Sequence, residues 1–153
     1  MAVFTIRKAG GAITPDTGTV TYLVAIAATN RALRVQEISA SGLGTASAAN
    51  EFQVAASPTG TTPAGAITPS PYSPLSTAAA SFTTATSWAT APTVVAATGI
   101  AFGVNANGGT YRWLAKTNFE LMAMQAIASM AVMSYKVVAG TSSIAFHTII
   151  EEL

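Results

Sequence analysis

Alternation of side-chain character with a period of two is the feature that most constrains the fold of this chain. In an extended strand, successive side chains point to opposite faces, so period two is typical of a strand with one buried face. The pattern predicts nine or ten strands and no convincing helix. Its clearest occurrences are residues 3–8, 19–28, 33–39, 51–55, 100–104, 110–116 and 143–151.

Two segments leave helix and strand open as alternatives. Met and Ala in residues 119–125 and 130–138 favour a helix, and Asn118 could cap one. The valines and the tyrosine of the second segment favour a strand. We predict two strands, joined by a turn near Ala126 to Ser129.

A stretch of sixty residues between Glu51 and Arg112 carries no charge. Its part at residues 57–98 holds six of the seven prolines and otherwise consists mainly of Ala, Ser, Thr and Gly. Disordered linkers usually carry many charges, whereas this segment has apolar and aromatic residues instead. We predict a long, mostly ordered loop with one or two short strands, such as Ser81 to Thr86 and Thr93 to Ala97.

Many short strands with turn signals between them are typical of a β-sandwich, and long crossing loops favour a jelly roll. Asn107-Gly108 predicts a hairpin turn after residues 100–104. A length of 153 residues fits one domain. The predicted fold is therefore an all-β, single-domain jelly-roll β-sandwich over residues 1–153, with a long Pro/Ala/Ser/Thr-rich loop at 57–98.

Charge and cysteine content exclude several function classes. Only 8% of the residues are charged, the net charge is +1, and there is one His and no Cys. Seven scattered cations give no footprint for nucleic acid. Disulfide scaffolds, thiol enzymes, cysteine zinc sites and multi-histidine metal sites cannot be built. We expect no cofactor, no metal and no nucleic-acid partner.

The titratable residues offer little catalytic chemistry. His147 lies within a predicted strand, and a packed or surface role is expected because no catalytic partner can be identified. Glu151 and Glu152 point to opposite faces of a strand, and we expect both to be solvated. Asp16, the only Asp, fits a turn. We therefore expect no enzymatic activity.

Membrane insertion and secretion are not expected, although the mean hydropathy is +0.46. The best apolar run, residues 121–135, is too short for a span and contains Gln and Ser. The N-terminal residues lack the order of a signal peptide. We expect a soluble chain that is made and used without secretion.

Three further features bear on interactions. Arg34 and Glu37 would face opposite sides of a straight strand and could pair on adjacent strands or across subunits. Tyr72 and Trp88 lie in the uncharged loop, where they either pin it to the sandwich or anchor it on a partner. A surface with so few charges suits a subunit packed against copies of itself or a scaffold.

The sequence also resembles a protein family. The similar stretches are residues 30–38 (NRALRVQEI), Ser41-Gly42, residues 49–54 (ANEFQV), 60–63 (GTTP), 67–69 (ITP) and 107–113 (NGGTYRW). Together they resemble small virion proteins of tailed bacteriophages over about residues 20 to 150. Members of that family look like single jelly-roll domains, often trimeric, and no catalytic residue carries over.

The resemblance implies a capsid decoration (cement) protein. Such a protein would be made in the host cytoplasm and would sit on the virion as a homotrimer, across several major capsid protein subunits. The interface candidates are Arg7 and Lys8 on the N-terminal strand, with Tyr72 and Trp88 in the loop. The alternative is a receptor- or glycan-binding jelly-roll module of a tail fibre or spike, for which an exposed Tyr or Trp over a polar groove would count.

Overall fold

The protein is all-β, as the period-two alternation predicted. The computed structural model describes residues 2–8, 20–26, 31–57, 63–88, 100–116, 121–124, 132–139 and 143–153, and these contain no helix. The strands are β1 (Ala2–Lys8), β2 (Val20–Ile26), β3 (Ala32–Gly42), β4 (Ala49–Ser57), β5 (Pro63–Ile67), β6 (Ser70–Pro71), β7 (Thr83–Trp88), β8 (Ile100–Asn105), β9 (Thr110–Leu114), β10 (Leu121–Met124), β11 (Val132–Ala139) and β12 (Ile144–Glu152).

The strands form two six-stranded sheets in which the described pairs are antiparallel. The first sheet has the order β10-β3-β12-β1-β6, and β9 also pairs with β3. One edge of the long strand β3 therefore serves two partners in succession, β10 along residues 32–35 and β9 along residues 37–41. The second sheet has the order β5-β7-β2-β11-β4-β8.

The core lies between the two sheets and is built by their alternating inward side chains. Phe52 of the second sheet is fully buried and approaches Phe146 of the first, with ring centroids 5.9 Å apart. Phe4 meets Phe82 edge to face at 5.4 Å. These contacts across the layers make the molecule a β-sandwich; its jelly-roll topology and its organisation as one domain stay predictions.

The described parts of the two ambiguous segments are strands. Residues 121–124 form β10 and residues 132–139 form β11, so the preference for strand over helix is confirmed. β11 lies between β2 and β4, where it completes two ladders. The expected turn at residues 126–129 lies outside the described residues.

The segment 57–98 contains more strand than the sequence indicated. β5, β6 and β7 all lie within it. Of these three strands, the sequence predicted only one, at residues 81–86, which corresponds to β7. Pro63 is the first residue of β5, and Pro71 lies in the two-residue β6. Both strands are sheet edges, where a missing N–H costs no ladder bond. The strand expected at residues 93–97 lies outside the described residues.

The turn at Asn107-Gly108 forms, but the hairpin predicted for it is wrong. Gly108 has a φ of +75°, and the Gly109 N–H donates to the Asn105 carbonyl at 3.0 Å. The strands on either side belong to different sheets, since β8 pairs with β4 and β9 pairs with β3. This turn, residues 105–109, is therefore a corner at which the chain passes from one layer to the other.

Candidate functional site on the outer face of the first sheet

Most of the charged side chains that the structure describes lie on one surface, the outer face of the first sheet. This face alternates with the core residues along β1, β3, β9 and β12. Two further cations, Arg31 and Lys116, flank it at the ends of β3 and β9. Of the other described charges, Glu51 is exposed on β4 and Glu152 is buried. The residues of the charged face are Arg7, Arg34, Glu37, Arg112, His147 and Glu151.

A β-bulge in β3 brings Arg34 and Glu37 to the same face. The register against β12 shifts between Ile149, opposite Glu37, and Ile150, opposite Val35. The burial pattern accordingly leaves two successive residues, 36 and 37, outside the core. The expectation that Arg34 and Glu37 face opposite sides is therefore wrong, because an extra residue resets the alternation.

Both charges pair with neighbouring strands, one of the alternatives that the sequence left open. The Arg112 guanidinium donates to both carboxylate oxygens of Glu37, at 2.9 and 3.0 Å. The Arg34 Nη1 donates to the Glu151 carboxylate at 3.3 Å. Gln36, the extra residue at the bulge, donates to the same carboxylate oxygen at 2.6 Å.

The bidentate pair shifts the titration of both of its members. The hydrogen bond from Arg112, helped by its charge and that of His147, holds the pKa of Glu37 below its usual value, although burial opposes the shift. The same hydrogen bond raises the pKa of Arg112. Arg112 remains largely exposed while Glu37 is mostly covered. The pair is therefore an ion pair at neutral pH, held at the protein surface.

His147 lies in the middle of the charged face, between two hydroxyl groups. Its Nε2 shares a hydrogen bond with the Thr5 hydroxyl, and its Nδ1 lies 3.5 Å from the Ser39 hydroxyl. A hydroxyl can donate or accept, so this arrangement suits either tautomer of the ring. Among the described contacts, no carboxylate holds the imidazole in a fixed orientation, which a catalytic base would require.

A polar groove of about 300 Å³ opens beside His147, and we name it the Tyr72 groove. Tyr72 is 60% exposed, and its backbone N–H donates to the Val3 carbonyl at 2.9 Å, which fixes the residue against the edge of β1. Arg7 is also exposed. The groove is lined by Thr5, Arg7, Ser70, Tyr72 and His147.

The structure brings two of the four predicted interface residues together. Arg7 and Tyr72 line the same groove, although they are far apart in the sequence. Lys8 lies on β1 opposite Phe146, and Trp88 ends β7 opposite Pro63 in the second sheet. The side chains of Lys8 and Trp88 lie outside the described part of the chain. The four candidates therefore occupy two different layers of the sandwich.

Glu151 and Glu152 point to opposite faces, as expected, but neither is freely solvated. Glu152 is only 7% exposed, and its carboxylate accepts hydrogen bonds from the hydroxyl and the backbone N–H of Ser81. The Glu151 side chain is mostly covered in its pair with Arg34. The expectation of solvation is wrong because each carboxylate has a donor on a neighbouring segment.

Sequence reasoning missed the floor of the Tyr72 groove. Thr5 and Arg7 share a face of β1 by parity, which the alternation does show. Ser70 and His147 join them because Thr5 is paired with Ser70 and Arg7 with His147. No local sequence signal encodes these long-range registers.

The described residues contain no group of three or more His, Asp and Glu side chains that could hold a metal ion. They also contain no helix long and apolar enough to cross a membrane. No known protein family, curated protein or solved structure matches this chain. The functional interpretation therefore depends on the geometry of the charged face and the Tyr72 groove.

Proposed function

We propose that this chain is a structural, non-enzymatic subunit that decorates a bacteriophage capsid as a homotrimer, bound across major capsid protein subunits. The observation that carries this proposal is the segregation of charge. The described charges concentrate on the outer face of one sheet, where four of them form two internal ion pairs, Arg34 with Glu151 and Arg112 with Glu37. Such a face suits the outward, solvated side of a subunit whose other surfaces are covered by an assembly.

The surfaces away from the charged face are suited to packing against protein. On β4 and β8 the exposed residues include Ala49, Ala101 and Gly103, whose small size lets another backbone approach closely. In the turns, Leu75 is 92% exposed and Leu43 is 55% exposed. Covering these apolar groups in a contact with another protein would stabilise that contact by removing apolar area from water. A trimer would present three copies of each, so weak individual contacts would add up to firm attachment.

The native mass tests the proposed assembly. Light scattering on a sizing column should give the mass of a trimer. Capsids of the phage that encodes the chain should then carry the protein with them on sedimentation. A monomer whose mass does not depend on concentration, or a protein left in the supernatant, would contradict the proposal.

A pair of turn variants tests which surface makes the contact. Leu75→Ser should leave the fold intact, because Leu75 is almost fully exposed, but should lower capsid occupancy. Thr77→Ser, at an exposed position of the same segment, is the matched control and should bind as the unmodified chain does. Equal occupancy of both variants would remove this segment from the proposed contact surface.

The second candidate function is glycan binding, as a module of a tail fibre or spike. The observation that favours it is Tyr72, exposed at the margin of a groove whose other lining residues are polar. Labelling virions with an antibody to the chain separates the two proposals, since the label should fall on the head for decoration and on the tail for a fibre module.

A further inference from the structure

We propose that the Tyr72 groove binds the carboxylate-bearing ring of an acidic sugar, such as a uronic acid. This inference rests on the second proposed function, glycan binding, and names the class of saccharide. It is carried by three features of the groove, which are an uncompensated guanidinium, a floor of hydroxyl and imidazole groups, and an exposed aromatic ring.

Arg7 supplies the guanidinium. Arg34 and Arg112, on the same face, are each paired with a glutamate. Arg7 forms no hydrogen bond or ion pair with any residue that the structure describes, and it borders the groove. A guanidinium presents parallel N–H donors that match the two oxygens of a carboxylate. The groove therefore has a free binding group for an anion of that shape.

The floor supplies groups that recognise sugar hydroxyls. Thr5 and Ser70 carry hydroxyl groups, and His147 adds ring nitrogens. Each of these groups can donate or accept a hydrogen bond, as sugar hydroxyls also do. Ser70 is exposed at the edge of the sheet, and Thr5 is linked to His147 by a hydrogen bond. Two of the three groups of the floor, the Thr5 hydroxyl and the His147 imidazole, are thus held in place by their mutual hydrogen bond.

Tyr72 supplies the aromatic wall. Its backbone is tied to β1 and most of the residue is exposed, so it presents an aromatic surface with a polar tip beside the groove. A volume of about 300 Å³ is at the small end of ligand sites and corresponds to one sugar ring rather than a long chain. One guanidinium carries a single positive charge, which matches a carboxylate better than a doubly charged phosphate.

Binding of methyl glucuronide, compared with methyl glucoside and acetate, tests the inference by NMR titration of the unmodified full chain. The glucuronide should bind at least about tenfold more tightly than the glucoside, which carries a neutral hydroxymethyl group in place of the carboxylate, because a charge-assisted pair with Arg7 is worth at least that factor. Acetate should bind at least about tenfold more weakly than the glucuronide, because it lacks the ring.

Three variants assign the effect to the groove. Arg7→Gln should reduce the affinity for the glucuronide to that for the glucoside, whereas Arg31→Gln, an exposed arginine beside the charged face, should change neither. Tyr72→Ala should weaken both sugars, and Tyr72→Phe should retain most of the affinity because the ring remains. Thermal unfolding of each variant checks that the fold is intact.

The outcomes separate the two levels of the inference. Equal binding of glucuronide and glucoside, or a preference that survives in Arg7→Gln, would overturn the acidic-sugar inference while glycan binding stands. If acetate binds as tightly as the glucuronide, the groove recognises the carboxylate alone, and the inference that it binds a sugar ring is overturned. No binding of either sugar would overturn both the inference and the glycan function.

Discussion

The aromatic rings of Phe102 and Tyr111 lie parallel, with centroids 4.0 Å apart and an interplanar angle of 2°. Phe102 belongs to β8 of the second sheet and Tyr111 to β9 of the first. The contact therefore joins the two layers beside the corner at residues 105–109. Burial of the ring also raises the pKa of the Tyr111 hydroxyl.

A double-mutant cycle should detect this ring contact. Phe102→Leu and Tyr111→Leu should each destabilise the fold, and the double variant should lose less than the sum by about 0.5–1.5 kcal/mol, the usual energy of an aromatic pair. Urea unfolding of the four proteins measures the coupling. Leu75→Ala, in an exposed turn, is the control, and its effect on the free energy of unfolding should add to that of either ring variant. If the effects of Phe102→Leu and Tyr111→Leu are strictly additive, the two rings make no stabilising contact.

Gly42 is required at the end of β3 by the corner. A Cβ at this position would lie 2.2 Å from the Asn105 carbonyl oxygen and 2.3 Å from that of Ala106, both of them backbone atoms. Gly42→Ala should therefore destabilise the protein by about 1–3 kcal/mol, as overpacking does. At Gly103, the nearest atom to an added Cβ is 3.7 Å away. Gly103→Ala is the control. If calorimetry gives the two variants the same melting temperature, the close approach of residue 42 to the backbone of Asn105 and Ala106 is contradicted.

Ser81 keeps a buried carboxylate satisfied. Ser81→Ala removes the hydroxyl that donates to Glu152 and should cost about 1–3 kcal/mol, because the buried oxygen loses a partner. The double variant Ser81→Ala, Glu152→Leu removes both polar groups and should recover much of that loss. Chemical denaturation distinguishes the cases, and a double variant less stable than Ser81→Ala would argue against this explanation.

The Arg112–Glu37 pair should make stability depend on pH in a defined direction. The pKa of Glu37 lies below its ordinary 4.5 in the folded state, so the unfolded state binds more protons in that range. The stabilisation is therefore complete above pH 4.5 and is lost as the pH falls through the lowered pKa.

Arg112→Gln should remove that stabilisation. The difference in unfolding free energy between the unmodified chain and this variant should be constant well above pH 4.5 and should shrink in more acidic solution. NMR titration of the Glu37 carboxyl should show its pKa rising toward the ordinary value in the variant. A pKa that stays unchanged would show that another group holds it down.

Local sequence patterns predicted most of the described strands, but they predicted neither β5 and β6 nor the pairing of the strands in the two sheets. The strand in residues 132–139 could be predicted because valine and tyrosine outweigh the helix preference of methionine and alanine. The bulge that places Gln36 and Glu37 together outside the core has no local signal, since it depends on the register against β12. Asn107-Gly108 indicated the turn correctly, but the pairing of its flanking strands is a tertiary property.

The candidate site was predictable only in part for the same reason. The sequence indicated Arg7, on the N-terminal strand, and Tyr72, in the uncharged loop, as interface candidates, and parity places Thr5 on the same face of β1 as Arg7. The pairing of β1 with both β6 and β12 is what makes a groove of them. Such long-range partners are set by the whole fold, so no motif in the sequence could reveal them.

The position of β12 at the centre of the first sheet has a consequence for biosynthesis. β12 lies between β3 and β1, so these two strands meet in one layer only through a segment that is made last of all the described strands. During synthesis, the edges of β1 and β3 that pair with β12 stay unpaired until residues 144–152 have emerged from the ribosome. The first sheet therefore closes only once β12 has been made, and until then the edges of β1 and β3 that β12 will cover are open to pairing with other chains.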